Sequence, residues 1–120
     1  MGSIVLDKEL LELAAKAAGV EIQWESDGTI QNRMNRPTIP YFCQNMSSAI
    51  DWNPLADDGD ALRLAVKLDL DIAFKDPHGK SVSIYSEKGW MQQLYDNDEE
   101  KPIATRRAIV RAAAEIGRSM

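Results

Sequence analysis

The sequence predicts an α+β domain in which a small, mainly antiparallel sheet is layered with about three helices, an αβα sandwich. Three observations point there. Segments near both ends and in the middle repeat apolar residues at helical spacing, and the two end segments are rich in alanine. Short segments between them alternate apolar and polar residues with the two-residue period of a strand. Two of these are joined by Asp76-Pro77-His78-Gly79-Lys80, which is turn chemistry and too short for a parallel crossover, so they pair as a hairpin.

Taken in chain order, Asp7 reads as the N-cap of a helix over Lys8 to Ala18, with Leu6, Leu10, Leu13, Ala14 and Ala17 as its apolar stripe and Gly19 as its stop. Val20 to Glu25 alternates, with Val20, Ile22 and Trp24 on one face, before the turn Ser26-Asp27-Gly28. Thr29 to Ser48 is interrupted by Asn32, Asn35, Pro37 and Pro40, and within it Thr38 to Cys43 suits a short edge strand. Asn53 followed by Pro54 reads as an N-cap and first helical residue, opening a second helix to about Lys67 with Ala61, Leu62, Ala65 and Val66 on its face. Leu70 to Lys75 and Ser81 to Ser86 form the hairpin; Trp90 to Tyr95 reads as a further strand or one helical turn, and Asp96 to Lys101 as a charged loop. Pro102 opens the last helix, which carries Ile109, Ala113 and Ile116 at i, i+4 and i+7.

Composition fits one domain spanning 1–120. With 120 residues, 44% apolar and 28% charged, the chain is long enough to bury roughly two thirds of its unfolded surface. Met1, Gly2 and Ser3 read as a cloning scar, the patterned sequence beginning at Ile4. Cys43 is the only cysteine, which excludes an internal disulfide and a cysteine-anchored zinc site and suggests a reducing compartment. No basic leader and no run of about 18 apolar residues appears, so neither export nor membrane insertion is expected. The formal net charge of −5 opposes general nucleic-acid binding, which needs a clustered positive field.

The run Trp52 to Leu68, WNPLADDGDALRLAVKL, with the opening LDKELLELAAKAAG and the closing ATRRAIVRAAAEIG, resembles a family of small bacteriophage proteins, the phage alpha-beta-alpha sandwich domain. The resemblance covers most of the chain but not Thr29 to Ser48. It implies a phage or prophage origin, a sheet between helical layers and residence in the host cytoplasm. It supplies no catalytic residues.

Few residues offer chemistry. Asp57, Asp58 and Asp60 around Gly59 are numerous enough for a hard cation, yet their spacing is not that of a calcium loop, and acidic residues in a first helical turn complement the backbone dipole; no metal is expected. Arg107 and Arg111, with Arg106 adjacent and Arg118 further along, could present guanidinium forks to an anion, or simply be a solvated face in which Glu115 pairs with Arg111. Arg33 and Arg36, beside Asn32 and Asn35, suit a binding loop. Of the three tryptophans, Trp24 reads as core, Trp90 is open, and Trp52, next to a helix start, is the preferred stacking residue for a planar ligand. His78 is the single histidine and sits in a turn, and no motif around Ser81, Ser83 or Cys43 recruits it.

These features predict a non-enzymatic phage accessory protein without cofactors. It would bind and sequester a small anionic ligand, such as a nucleotide immune signal of the host, through Trp52, Arg33, Arg36, Arg106, Arg107 and Arg111. Alanine-rich helix faces, which permit close helix approach, predict a homo-oligomer. The alternatives are a protein-binding module that docks on a host or phage protein through an acidic or apolar face, and a metal-dependent phosphoesterase using the three aspartates.

Overall fold

The computed structural model of the chain describes residues 7–20, 22–24, 30–32, 50–74 and 80–120. Helix α1 (Asp7–Ala18) is followed by β1 (Ile22–Trp24), β2 (Ile30–Asn32) and β3 (Ile50–Asp51), a small antiparallel sheet in that order. Helix α2 (Asp58–Lys67) leads into β4 (Asp71–Ala73), β5 (Ser81–Ser86) and β6 (Gly89–Leu94), a second antiparallel sheet in the order β4-β5-β6. A 3-10 turn (Asp98–Glu100) then precedes α3 (Lys101–Arg118). The α+β class, the three helices and the hairpin are as the sequence reads. The turn Ser26 to Gly28, the strand Thr38 to Cys43, the loop arginines Arg33 and Arg36, and His78 lie outside the described residues.

Helix α3 is the centre of the packing, touching α1, α2, β5 and β6. Its buried positions, Ala104, Ala108, Ile109, Val110, Ala112, Ala113, Ala114, Ile116 and Gly117, occupy most of its circumference and leave only the strip of Arg107, Arg111, Glu115 and Arg118, the pattern of a helix with neighbours on most sides. The layer order is the β4-β5-β6 sheet, α3, then α1, with α2 against α3, so the α+β class holds but the described helices lie on one face of that sheet and not on both, because α1 packs on α3 and not on the strands. Small residues let α1 and α3 approach closely: Leu10, Leu11, Ala14, Ala15 and Ala18 of α1 belong to the same core cluster, and a Cβ on Gly117 would lie 2.0 Å from the Leu13 carbonyl oxygen. The alanine-rich faces expected to join subunits are therefore consumed inside one chain. That removes the ground on which they predicted an oligomer.

Helix ends follow local chemistry. Gly19 adopts φ +70, its N–H donates to the Lys16 carbonyl and that of Val20 to the Ala15 carbonyl, a Schellman closure that needs a left-handed residue. Asp7 is the first helical residue rather than the cap, and its carboxylate accepts a 2.8 Å bond from Arg107. Helix α2 starts later than predicted. Asn53 closes a separate turn over Pro54 to Ala56, its Oδ1 accepting from Leu55 N–H and its carbonyl from the N–H groups of Ala56 and Asp57. Asp57 is the true N-cap, accepting the Asp60 N–H at 2.8 Å. Two competent caps four residues apart competed, and the second won because Asp60 also reaches back to accept Asn53 N–H at 2.9 Å, tying the turn to the helix.

Candidate functional site

In the β4-β5-β6 sheet, alternation sorts the side chains. Val82 and Ile84 of β5 are buried, with Ile72 and Met91 packed against the same core beneath α3. The cross-strand register puts Asp71, Tyr85 and Trp90 in one row on the opposite face, Ala73, Ser83 and Gln92 in the next, and Ser81 with Leu94 in a third. Tyr85 is 46% exposed, Trp90 64% and Leu94 67%. No described helix covers this face.

The rings of Tyr85 and Trp90 stack, with centroids 6.2 Å apart and planes at 27°, so they present one aromatic surface. Asp71, directly opposite Tyr85, sets a carboxylate at the end of the row. A contrast lies nearby. The ring of Phe74 has the Lys101 ammonium 5.1 Å from its centroid, whereas among the described residues no cation lies over Tyr85 or Trp90.

A groove of about 520 Å³ opens beside the same hairpin, between its tip and the C-terminal part of α3. Ile84, Met91 and Ala112 give it apolar walls, and Ser86, Lys88 and Glu115 polar ones. Glu115 is paired with Arg118, not with Arg111 as the spacing suggested. The Lys88 ammonium has no ion-pair partner among the described residues, so the groove carries one unopposed positive charge.

Among the described residues, those expected to bind a ligand, Trp52, Arg106, Arg107 and Arg111, are not brought together. Trp52 is 7% exposed and belongs to the core cluster, leaving no indole face for stacking. Its place beside the Pro54 turn anchors that turn, Pro54 itself being fully buried. Arg106 donates through Nε to the Leu55 carbonyl at 2.9 Å and through Nη1 to Asp58 at 2.7 Å, holding α3 to the start of α2. Arg107 reaches Asp7 at the start of α1, and Arg111 donates to Gln93 Oε1 of β6 at 2.6 Å. The three guanidinium groups thus leave α3 toward three different elements, each with an internal partner.

The aspartates are likewise spent. Asp57 caps α2, Asp58 holds Arg106, and buried Asp60 accepts from Asn53 N–H and from Arg63 at 2.7 Å. Among the described residues no group of three or more His, Cys, Asp or Glu side chains is placed to hold a metal ion.

Sequence reasoning does not mark Tyr85, Asp71, Leu94 or Lys88 as surface groups and ranks Trp52 above Trp90. The signal for Tyr85 was present: with Val82 and Ile84 inward, the alternation of β5 turns Tyr85 outward. No such local signal pairs Tyr85 with Trp90, which depends on the hairpin register.

No protein-family model, no curated protein and no solved structure matches the chain. Among the described residues, no helix is long and apolar enough to cross a membrane.

Proposed function

We propose that this is a phage accessory protein that binds without converting what it binds, docking a basic segment of another protein in the host cytoplasm on the open face of β4, β5 and β6. The row Asp71, Tyr85, Trp90 carries the reading. A guanidinium or ammonium group laid on the stacked rings gains a cation–π contact of about 0.5–1 kcal/mol at an exposed site, and a carboxylate at the end of the row adds a charge-assisted hydrogen bond. The net charge of −5 draws a basic partner and repels acidic ones. The phage setting follows from the resemblance of the Trp52 to Leu68 run and its flanking helices.

The test is an NMR titration of labelled protein with a short peptide of arginine and lysine, against one in which glutamate replaces the basic residues. Saturable shifts of the Trp90 indole, Tyr85 and Asp71 with the basic peptide are expected, and Trp90→Ala should weaken binding about fivefold. Equal shifts with both peptides, or indifference to Trp90→Ala, would refute the reading.

A second reading, sequestration of a small anionic ligand such as a nucleotide, is favoured by the groove beside Lys88, whose volume suits a small molecule. Under it Lys88 and Ser86 replace Trp52 and the α3 arginines as the binding groups. Calorimetry against a nucleotide panel decides: binding abolished by Lys88→Ala supports it, and the absence of heat across the panel removes it.

A further inference from the structure

We propose that β6 is the surface through which two copies of this chain pair, antiparallel and about a two-fold axis at Gln92, joining their three-stranded sheets into one of six strands. β6 is the end strand of its sheet, six residues long and free of charge (Gly89-Trp90-Met91-Gln92-Gln93-Leu94). Such an edge is unusual because exposed edges are normally shortened, charged or covered to prevent pairing.

The register decides which groups face outward. Tyr95 N–H donates to the Lys80 carbonyl, so Lys80 with Tyr95 is a hydrogen-bonded pair. Alternation along an antiparallel ladder then makes Val82 with Gln93 and Ile84 with Met91 hydrogen-bonded pairs as well. Trp90, Gln92 and Leu94 occupy the other positions and turn their backbone N–H and C=O groups to the open edge. Among the described residues, the only hydrogen bond to these groups is a 3.3 Å contact from the Gln93 amide to the Leu94 carbonyl.

Pairing two such edges at Gln92 is self-complementary. Gln92 meets Gln92 of the second copy, and Trp90 meets Leu94 on the open face, giving each of these exposed apolar side chains a cross-strand neighbour. Just outside the paired stretch, the long side chain of the turn residue Lys88 comes within reach of Asp96 of the second copy, and symmetry makes this pair twice. The one unopposed cation of the groove thus receives a carboxylate. A slip by two residues toward the turn sets Lys88 against Leu94 and loses this match of charges; the opposite slip offers Asp98, which Lys80 already holds. On the inner face α3 lies over β5 and β6, so the two copies of α3 come side by side at about the 8–10 Å spacing of packed helices, the groove side presenting Ala112 and Glu115 of α3 and its C-cap Ser119. The inference does not rest on the basic-partner reading: its backbone pairing uses the strand edge, and Trp90 is the one side chain that both share.

Sedimentation of the full chain over a range of concentrations tests it. A reversible species of twice 13.4 kDa is expected. Gln92→Pro, which deletes an outward N–H and is tolerated on an edge, should leave monomer with an unchanged circular dichroism spectrum. Lys88→Glu should weaken the dimer about tenfold, because two exposed pairs become repulsive, and adding Asp96→Lys should restore it. The swap decides even if Gln92→Pro does not fold. A chain that stays at 13.4 kDa throughout, or a dimer indifferent to Lys88→Glu, overturns the proposal.

Discussion

Gly117 is the point where α1 and α3 come closest, and replacing it with alanine isolates the energetics of that contact. Helix propensity alone favours the change: glycine inside a helix costs about 1 kcal/mol relative to alanine. Packing opposes it. The new Cβ would sit 2.0 Å from the Leu13 carbonyl oxygen and 2.9 Å from its carbon. These are backbone atoms of α1 and no rotamer change removes the clash. Relief requires the helices to separate by about 1 Å, and a gap of that size forfeits a quarter to a half of the dispersion energy of each contact it opens. Leu10, Leu11, Ala14, Ala15 and Ala18 on one side and Ala113, Ala114 and Ile116 on the other all belong to the core so loosened. Overpacking of this kind costs about 1–3 kcal/mol, occasionally more, and α1 has much of its buried surface in this one interface. Because the clash is with backbone, the upper end of that cost applies, and after the gain in propensity Gly117→Ala should lower stability by about 2 kcal/mol. Urea unfolding, followed by circular dichroism, should show a lower midpoint with an unchanged slope. A midpoint at or above that of the wild type would mean that α1 and α3 do not approach as described, and the α1 to α3 contact would need to be redrawn.

Two further substitutions separate structural from binding roles. Trp52→Ala should destabilise by about 3–5 kcal/mol in the same assay, because a buried indole leaves a cavity; a stable variant that merely loses a ligand would return Trp52 to the binding site. Asp57→Ala should cost about 1 kcal/mol through loss of the bond to Asp60 N–H, with Asp57→Asn close to wild type; equal loss in both would show that the cap is not the relevant contact.

The elements legible in the sequence are those written in local chemistry. The stop of α1 at Gly19 follows from a residue that adopts φ +70 without strain. The start of α3 at Lys101, with Pro102 in its first turn, follows from a residue that lacks an N–H where none is needed. The pairing of β4 with β5 agrees with the turn chemistry of the sequence between them. Strands β2 and β3 were not foreseen, since three residues and two are too few to display a period. The start of α2 is not legible because Asn53 and Asp57 are both good caps, and the tie from Asp60 back to Asn53 chooses between them.

The surface was less legible than the frame. Spacing along α3 marked Arg106, Arg107 and Arg111 as a cationic group, but their partners are set by distant chain: Arg106 meets residues 48 and 51 positions away, and Arg107 one 100 positions away. A tryptophan beside a helix start looks the same in sequence whether its indole faces solvent or core, and Trp52 was decided by what packs around the Pro54 turn. The sequence by itself therefore determined the helices and the hairpin, which depend on neighbours within a few residues. The tertiary structure alone decided which charges are neutralised, which tryptophan is buried, and that one sheet keeps an aromatic face and an uncharged edge open, because burial and pairing depend on segments that the chain brings together only when it folds.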